Sequence, residues 1–204
     1  MKKKIVIFDL DGTLLNTIED LGRAANHALG AHGFPTHHIS SYPHFVGNGI
    51  TKLIERTLPV ENRDKATITR VRADFMAYYD VHCTDATHPY HGIPELLSNL
   101  TDLGIAVAVA SNKYQKAVDK IIRHYFPEIP WVATMGQREG IPTKPDPSIL
   151  FEILSMHPTP KADVLYVGDS AVDIETGRRA CVDTLGVSWA FRPLSELVKA
   201  YAPA

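Results

Sequence analysis

The sequence predicts an α/β protein, a parallel sheet with helices on both faces that carries an inserted all-helical unit. Three observations predict it. Short apolar runs of strand length alternate with helix-period segments over most of the 204 residues. Several of these runs end in acidic or polar clusters, and in open parallel sheets the C-terminal strand edge is where ligands bind. One long interval, residues 16–89, holds helical patterns with no convincing strand among them.

The first strand is read over Ile5–Leu10, and four more over Ile105–Ser111, Trp131–Thr134, Val164–Val167 and Thr184–Val187. Their short, nearly continuous apolar character is that of strands buried on both faces. Between them Ile93–Leu103, Tyr114–Tyr125, Pro147–Met156 and Ile174–Ala180 read as crossover helices, with Gly104 placed to cap the first. Within the long interval, Thr17 and Asp20 resemble a capping box, and Ile18, Leu21, Ala25 and Ala28 follow at spacings of three and four. Ile50, Leu53, Ile54, Thr57 and Leu58 mark a second amphipathic helix, and Ile68, Val71, Phe75, Tyr78 and His82 a third. Pro35, Pro43 and Pro59 punctuate this unit, and Tyr90-His91-Gly92 marks the return to alternating strands and helices. The expected division is therefore 1–15 and 90–204 for an α/β core and 16–89 for a helical cap.

Composition narrows the function classes. With 21 Lys and Arg against 23 Asp and Glu the net charge is −2, too balanced for a basic nucleic-acid footprint, so no nucleic acid is expected as partner. Cys83 and Cys181 are too few for a disulfide framework or a cysteine metal site, which points to reduced, cytoplasmic thiols. Lys2, Lys3 and Lys4 precede an apolar run that stops at Asp9, too short for a signal peptide, and no stretch reaches membrane-spanning length. Neither export nor a membrane partner is expected. Most of the ten histidines fall in irregular segments without a ligating pair, and Arg178, Arg179 and Arg192 receive no role.

The chemistry concentrates at strand ends. Asp9-Leu10-Asp11-Gly12-Thr13 closes the first strand, and the i, i+2 alternation lets Asp9 and Asp11 converge on one site. Two carboxylates so close repel each other unless a cation neutralises one while the other serves as an acid. A bare D-x-D is equally a polar turn. Here Gly168-Asp169-Ser170-Ala171-Val172-Asp173 ends another strand in the same manner, and acids converging without cysteine or spaced histidine describe a hard-cation site, with Mg²⁺ the obvious candidate. Ser111-Asn112-Lys113 ends a third strand, where a hydroxyl and backbone N–H groups at a helix start suit an anion. Lys144, rigidly flanked in a proline-rich loop, supplies a cation. Together these features fit one metal-assisted phosphate site.

This arrangement resembles the haloacid dehalogenase superfamily of phosphatases, whose core is Rossmann-like. Asp9-Leu10-Asp11-Gly12-Thr13 looks like its first motif, Ser111 its second, Lys144 its third, and Gly168-Asp169 with Asp173 its fourth, and the block at 16–89 falls where that family inserts a helical cap. The resemblance implies Asp9 as nucleophile, Asp11 as general acid and base, and Ser111 and Lys144 as phosphate holders, with Gly12, Thr13 and Asn112 also lining the phosphate. It implies Asp169 as metal ligand supported by Asp173, with Asp9 and the Asp11 carbonyl completing the protein's share of the Mg²⁺ shell. Val46-Gly47-Asn48-Gly49 with Leu53 and Glu55-Arg56, and the Ser111-Asn112-Lys113 form of the second motif, look like the phosphoglycolate phosphatases, which makes Gly47, Asn48 and Gly49 a candidate specificity loop.

The implied reaction is in-line attack of Asp9 on phosphorus to give an aspartyl phosphate, with Asp11 protonating the departing alkoxide and then activating water. The implied partner is a small phosphorylated metabolite, 2-phosphoglycolate first, acted on by a monomer or homodimer. A sugar-phosphate phosphatase, a pyrophosphatase or a phosphosugar mutase would use the same core, and a regulatory module could retain the phosphate pocket without turnover.

Overall fold

The computed structural model describes residues 2–192 and 194–201. Its centre is a five-stranded, all-parallel sheet built from β1 (Ile5–Phe8), β4 (Ala106–Tyr114), β5 (Ala133–Gln137), β6 (Val164–Gly168) and β7 (Asp183–Gly186), in the order β5-β4-β1-β6-β7. β1 occupies the middle because all four of its residues are apolar and all four are buried, and it pairs in register with Ala106–Val109 on one side and Val164–Val167 on the other. Strand alternation then divides the core. Val6, Phe8, Val107, Val109 and Val167 face one layer, with helices α4 (Ile93–Asp102) and α5 (Gln115–Tyr125). Ile5, Ile7, Ala108, Ala110, Val164 and Tyr166 face the other, where Ile149, Leu150 and Ile153 of α6 (Ser148–Met156) and Ala180 of α7 (Ala171–Ala180) pack.

Between β2 (Leu15–Asn16) and β3 (His88–Pro89) the regular elements are all helical: α1 (Ile18–Ala31), α2 (Gly49–Thr57) and α3 (Lys65–His82), with short 3-10 turns at Ile39–His44 and Val60–Asn62. Of the predicted stripes, Leu21, Ala25 and Ala28 of α1 and Val71 and Phe75 of α3 are buried; Ala24 joins the first, and Tyr79 takes the buried place expected for Tyr78 and His82, which stay partly exposed. β2 and β3 pair antiparallel, Leu15 with Pro89 and Asn16 with His88, so the chain leaves and re-enters through one two-stranded ribbon. Period-based reading misses strands of two residues. The predicted capping box at Thr17 does not form either. The Thr17 hydroxyl donates to Asp11 Oδ1 at 2.7 Å, and Asp20 instead accepts from the backbone N–H of Ala86 and Thr87 at 3.0 and 2.8 Å, tying the start of α1 to the approach of β3.

Other boundaries move for local reasons. β4 runs on through Tyr114 past an irregularity after Ala110, so Ser111–Lys113 are still extended chain rather than a helix start. β5 follows it and pairs as far as Tyr114 with Gln137, later than the predicted Trp131–Thr134. α7 begins three residues early because Ser170 and Asp173 form a reciprocal capping box. A further helix, α8 (Leu194–Tyr201), was not anticipated; it buries Leu197 and packs on α7. Cys83 is buried, Cys181 is exposed, and both are free. Among the described residues no helix is long and apolar enough to cross a membrane.

Candidate active site

The C-terminal ends of β1, β4 and β6 meet at one edge of the sheet, beneath α1–α3, around a cleft enclosing about 680 Å³ with its adjoining solvent. Asp9, Asp11, Ser111, Asn112, Lys113 and Asp169 line its core side, and Leu21, Ile50, Leu53, Phe75 and Tyr79 line the helical side.

Asp9 follows the central strand directly, and its N–H donates to the Val167 carbonyl at 2.8 Å, so backbone pairing sets its position. One carboxylate oxygen each of Asp9, Asp169 and Asp173 lies within 4.8 Å of the other two, all three residues buried. Lys144, 3% exposed, sits behind them, its Nζ 2.9 Å from Asp9 Oδ1, 2.7 Å from Asp173 Oδ1, 2.9 Å from the Tyr166 hydroxyl and 3.0 Å from the Ala110 carbonyl. Asp173 has both oxygens occupied: Tyr166 donates to Oδ1 at 2.7 Å, beside Lys144, and the Ser170 hydroxyl and N–H donate to Oδ2 at 2.6 and 3.1 Å. Among the described residues the Asp169 carboxylate has one long contact, from the Thr13 hydroxyl at 3.4 Å.

These surroundings split the three acids. Asp173 is held below the usual carboxylate range, because Lys144, Ser170 and Tyr166 together outweigh its burial. Asp9 is pushed up to about 7 by burial, with Lys144 opposing and Asp173 reinforcing the rise. Burial and the charges of Asp173 and Asp9 raise Asp169 well above its ordinary value. Burial acts to lower the Lys144 ammonium, but Asp173 and Asp9 hold it above its usual value, so it stays charged. Three acids around one buried cation leave Asp9 and Asp169 short of positive charge, with oxygens facing the cleft. An all-oxygen donor set of that kind fits a hard divalent cation.

The remaining expected residues divide. Ser111 is 2% exposed and lines the cleft, its oxygen accepting from the Lys113 N–H at 3.2 Å. Asn112 also lines it, but its amide is consumed: Nδ2 donates to the Gly47 and Lys144 carbonyls, each at 3.1 Å, and Oδ1 accepts from the Lys144 N–H at 2.8 Å. Gly12 and Thr13 do not line the cleft, and their N–H groups close the turn onto the Leu15 and Leu10 carbonyls. Gly12 serves another end, since its φ of +87° and the 2.5 Å at which a Cβ would meet Asp169 require glycine there. The carboxylate of Asp11 lies outside the three-acid cluster and accepts from Lys113 Nζ and the Thr17 hydroxyl, both at 2.7 Å.

In the loop before α2, Gly47 and Gly49 line the cleft and Asn48 does not; Asn48 Oδ1 accepts from Arg56 at 2.7 Å, a bond that organises the loop. Arg178 and Arg179 are exposed and paired with Glu175, as solvated arginines are. Arg192 differs. It lines the cleft, and its NH2 donates to the Val46 carbonyl at 2.9 Å across the seam between α8's lead-in and the helical segment. Sequence reasoning also passed over Tyr166, Lys113 and Tyr79. Tyr166 was visible only as a strand residue, and Lys113 as the last letter of a strand-end triplet.

Residues 6–187 match the family model of the haloacid dehalogenase-like hydrolases. A phosphoglycolate phosphatase of Pseudomonas syringae pv. tomato is 32% identical over 95% of this chain and 73% of its own length. One from Mesorhizobium japonicum is 30% identical over 94% of this chain and 85% of its own. Among solved structures, a proposed phosphoglycolate phosphatase from Lactobacillus delbrueckii subsp. bulgaricus superposes with a TM-score of 0.92 at 31% identity, covering 100% of this chain and 94% of the other.

Proposed function

The chain belongs to the haloacid dehalogenase-like hydrolases and is a phosphatase of that family, and we propose that it is a Mg²⁺-dependent phosphomonoesterase that converts 2-phosphoglycolate to glycolate and phosphate. The observation that carries this reading is the placement of Asp9, a buried carboxylate at the mouth of the cleft between Lys144 and Asp169. The named activity of relatives near 30% identity over more than nine-tenths of the chain supports the substrate. In this reading residues 1–15 and 90–204 are the catalytic core and 16–89 its cap, and the protein works in the cytoplasm.

Asp9, Asp169 and the backbone of Asp11 would hold the cation, with Asp173 supporting through Lys144 and Ser170. When bound, the cation supplies positive charge that neutralises phosphoryl oxygens against an anionic nucleophile. Asp9 then attacks phosphorus in line as the ester P–O bond breaks, giving an aspartyl phosphate. Asp11 delivers a proton to the departing glycolate oxygen and afterwards takes one from the water that attacks the same phosphorus, restoring Asp9 and releasing phosphate. Ser111 offers its hydroxyl to a phosphoryl oxygen. Lys144 acts through Asp9, keeping it aimed, and contributes charge from behind it.

The test is kcat/KM for phosphate release from 2-phosphoglycolate beside pyrophosphate and several sugar phosphates. A preference of about a hundredfold, roughly 2.7 kcal/mol of differential transition-state binding, is expected. Broad, even activity would discard the substrate and keep the phosphatase.

The acid cluster adds a metal-linked expectation. Asp9 and Asp169 bind protons more tightly when folded than unfolded, so the contribution of Asp9 to stability declines as pH rises from the unfolded value of 3.8 through about 7, and that of Asp169 changes in the same direction. Protein treated with chelator should therefore melt lower at about pH 7 than at about pH 5, with Mg²⁺ raising the melting temperature more at the higher pH. A Mg²⁺ effect that is equal at both pH values would refute the placement of the cation between these acids.

A further inference from the structure

Tyr79 of α3 is fully buried and lines the cleft, yet its hydroxyl has no hydrogen-bond partner among the described residues. Buried hydroxyls are normally paired, because an unpaired one forfeits its hydration without return. Over the same ring, 4.8 Å from its centre, lies the Lys113 ammonium, whose side chain is 3% exposed. Lys113 directs one hydrogen to Asp11 Oδ1 and lines the cleft with the rest of its head group free of other protein acceptors among the described residues. The helical wall around the pair, Leu21, Ile50, Leu53 and Phe75, offers no other polar group. A hydroxyl from the apolar helical wall and an ammonium from the core side therefore meet, beside the acid assigned to protonate the leaving group.

We infer that Tyr79 and Lys113 form the subsite that receives the carboxylate of the leaving group, an inference that rests on the phosphoglycolate reading. An ammonium and a hydroxyl that can both donate suit an anionic oxygen pair. Lys113 lies where it can neutralise both that carboxylate and Asp11, which would otherwise repel each other. Burial, then the charge of Asp11, holds the Tyr79 phenol well above its ordinary value, so it remains an O–H donor.

The experiment uses the Asp9→Asn protein, expected to bind without turning over, titrated calorimetrically in Mg²⁺ with 2-phosphoglycolate and with ethyl phosphate, an ester of similar size that lacks the carboxylate. Adding Tyr79→Phe should weaken 2-phosphoglycolate by about tenfold or more and ethyl phosphate by less than about twofold. The melting temperature without ligand should not fall, since no hydrogen bond is lost. Equal losses for both esters, or no loss for either, would overturn the subsite, as would a parent protein that binds neither. Wild-type turnover of the two esters scores the phosphoglycolate reading separately. A wild type that prefers 2-phosphoglycolate while Tyr79→Phe keeps the preference refutes the subsite alone. A wild type that hydrolyses both equally refutes the substrate.

Discussion

The Asp9→Asn variant is expected to release phosphate about 10⁴-fold more slowly or worse, while melting no lower than the wild type. The loss follows from chemistry. An amide is nearly isosteric with a carboxylate but has no charge with which to attack phosphorus. Geometry cannot compensate, because the Asp9 N–H is fixed on the Val167 carbonyl and no other cleft carboxylate lies beside Lys144 with a free oxygen in the same place. Retained stability follows from the acid cluster. With its carboxyl pushed up to about 7, Asp9 is a group whose ionised form the folded state disfavours at neutral pH, and the amide removes that cost. Lys144 loses one of its partners but keeps Asp173, Tyr166 and the Ala110 carbonyl. The measurement is paired: phosphate release in Mg²⁺ and thermal melting in chelator. Turnover near the wild-type rate would place the nucleophile elsewhere. A melting temperature several degrees lower would mean that Asp9 is a structural partner of Lys144 before it is anything else.

How much of this was legible in the sequence depends on the range of the interaction. The sheet was readable because buried parallel strands write themselves as short apolar runs, and Ile5–Phe8 is one with no polar residue to blur it. The acids were readable because strand ends in an open sheet share an edge, so Asp9 and Asp169 had to be neighbours once β1 and β6 were. What escaped were consequences of side-chain placement between distant segments. Thr17 has the spacing of a helix cap, yet the folded chain sets it beside Asp11, and that bond outcompetes the local one. Asn112 offers an amide suited to an anion, but the loops holding Gly47 and Lys144 close on it from both sides. Tyr79 lies one position off the predicted stripe, and helical period does not distinguish a packed ring from one whose buried hydroxyl is left unpaired beside a cleft. Lys144 was legible as a cation of the site, but only the fold shows that it is buried against Asp9 and Asp173 rather than held out to a phosphate.

That burial sets the second large expectation. Replacing Lys144 with Met should destabilise the protein by about 3–5 kcal/mol near neutral pH, because it breaks a buried ion pair from one side and leaves the acids uncompensated. It should also depress turnover, since Asp9 loses the donor that aims it. The sign with pH separates this from a packing defect. Without the ammonium, Asp9 and Asp173 would bind protons more tightly still, so the penalty should shrink as pH falls toward about 5 and the acids neutralise themselves. A cavity left by a shorter or misfitting side chain would cost the same at either pH. A double variant sharpens the argument: adding Asp9→Asn to Lys144→Met removes one of the stranded charges, and should recover part of the lost stability although it removes a further polar contact. Chemical denaturation of the four proteins at two pH values measures all of this at once. Strictly additive losses, unchanged between the two, would show that Lys144 contributes by filling space, and the electrostatic account of the site would have to be abandoned.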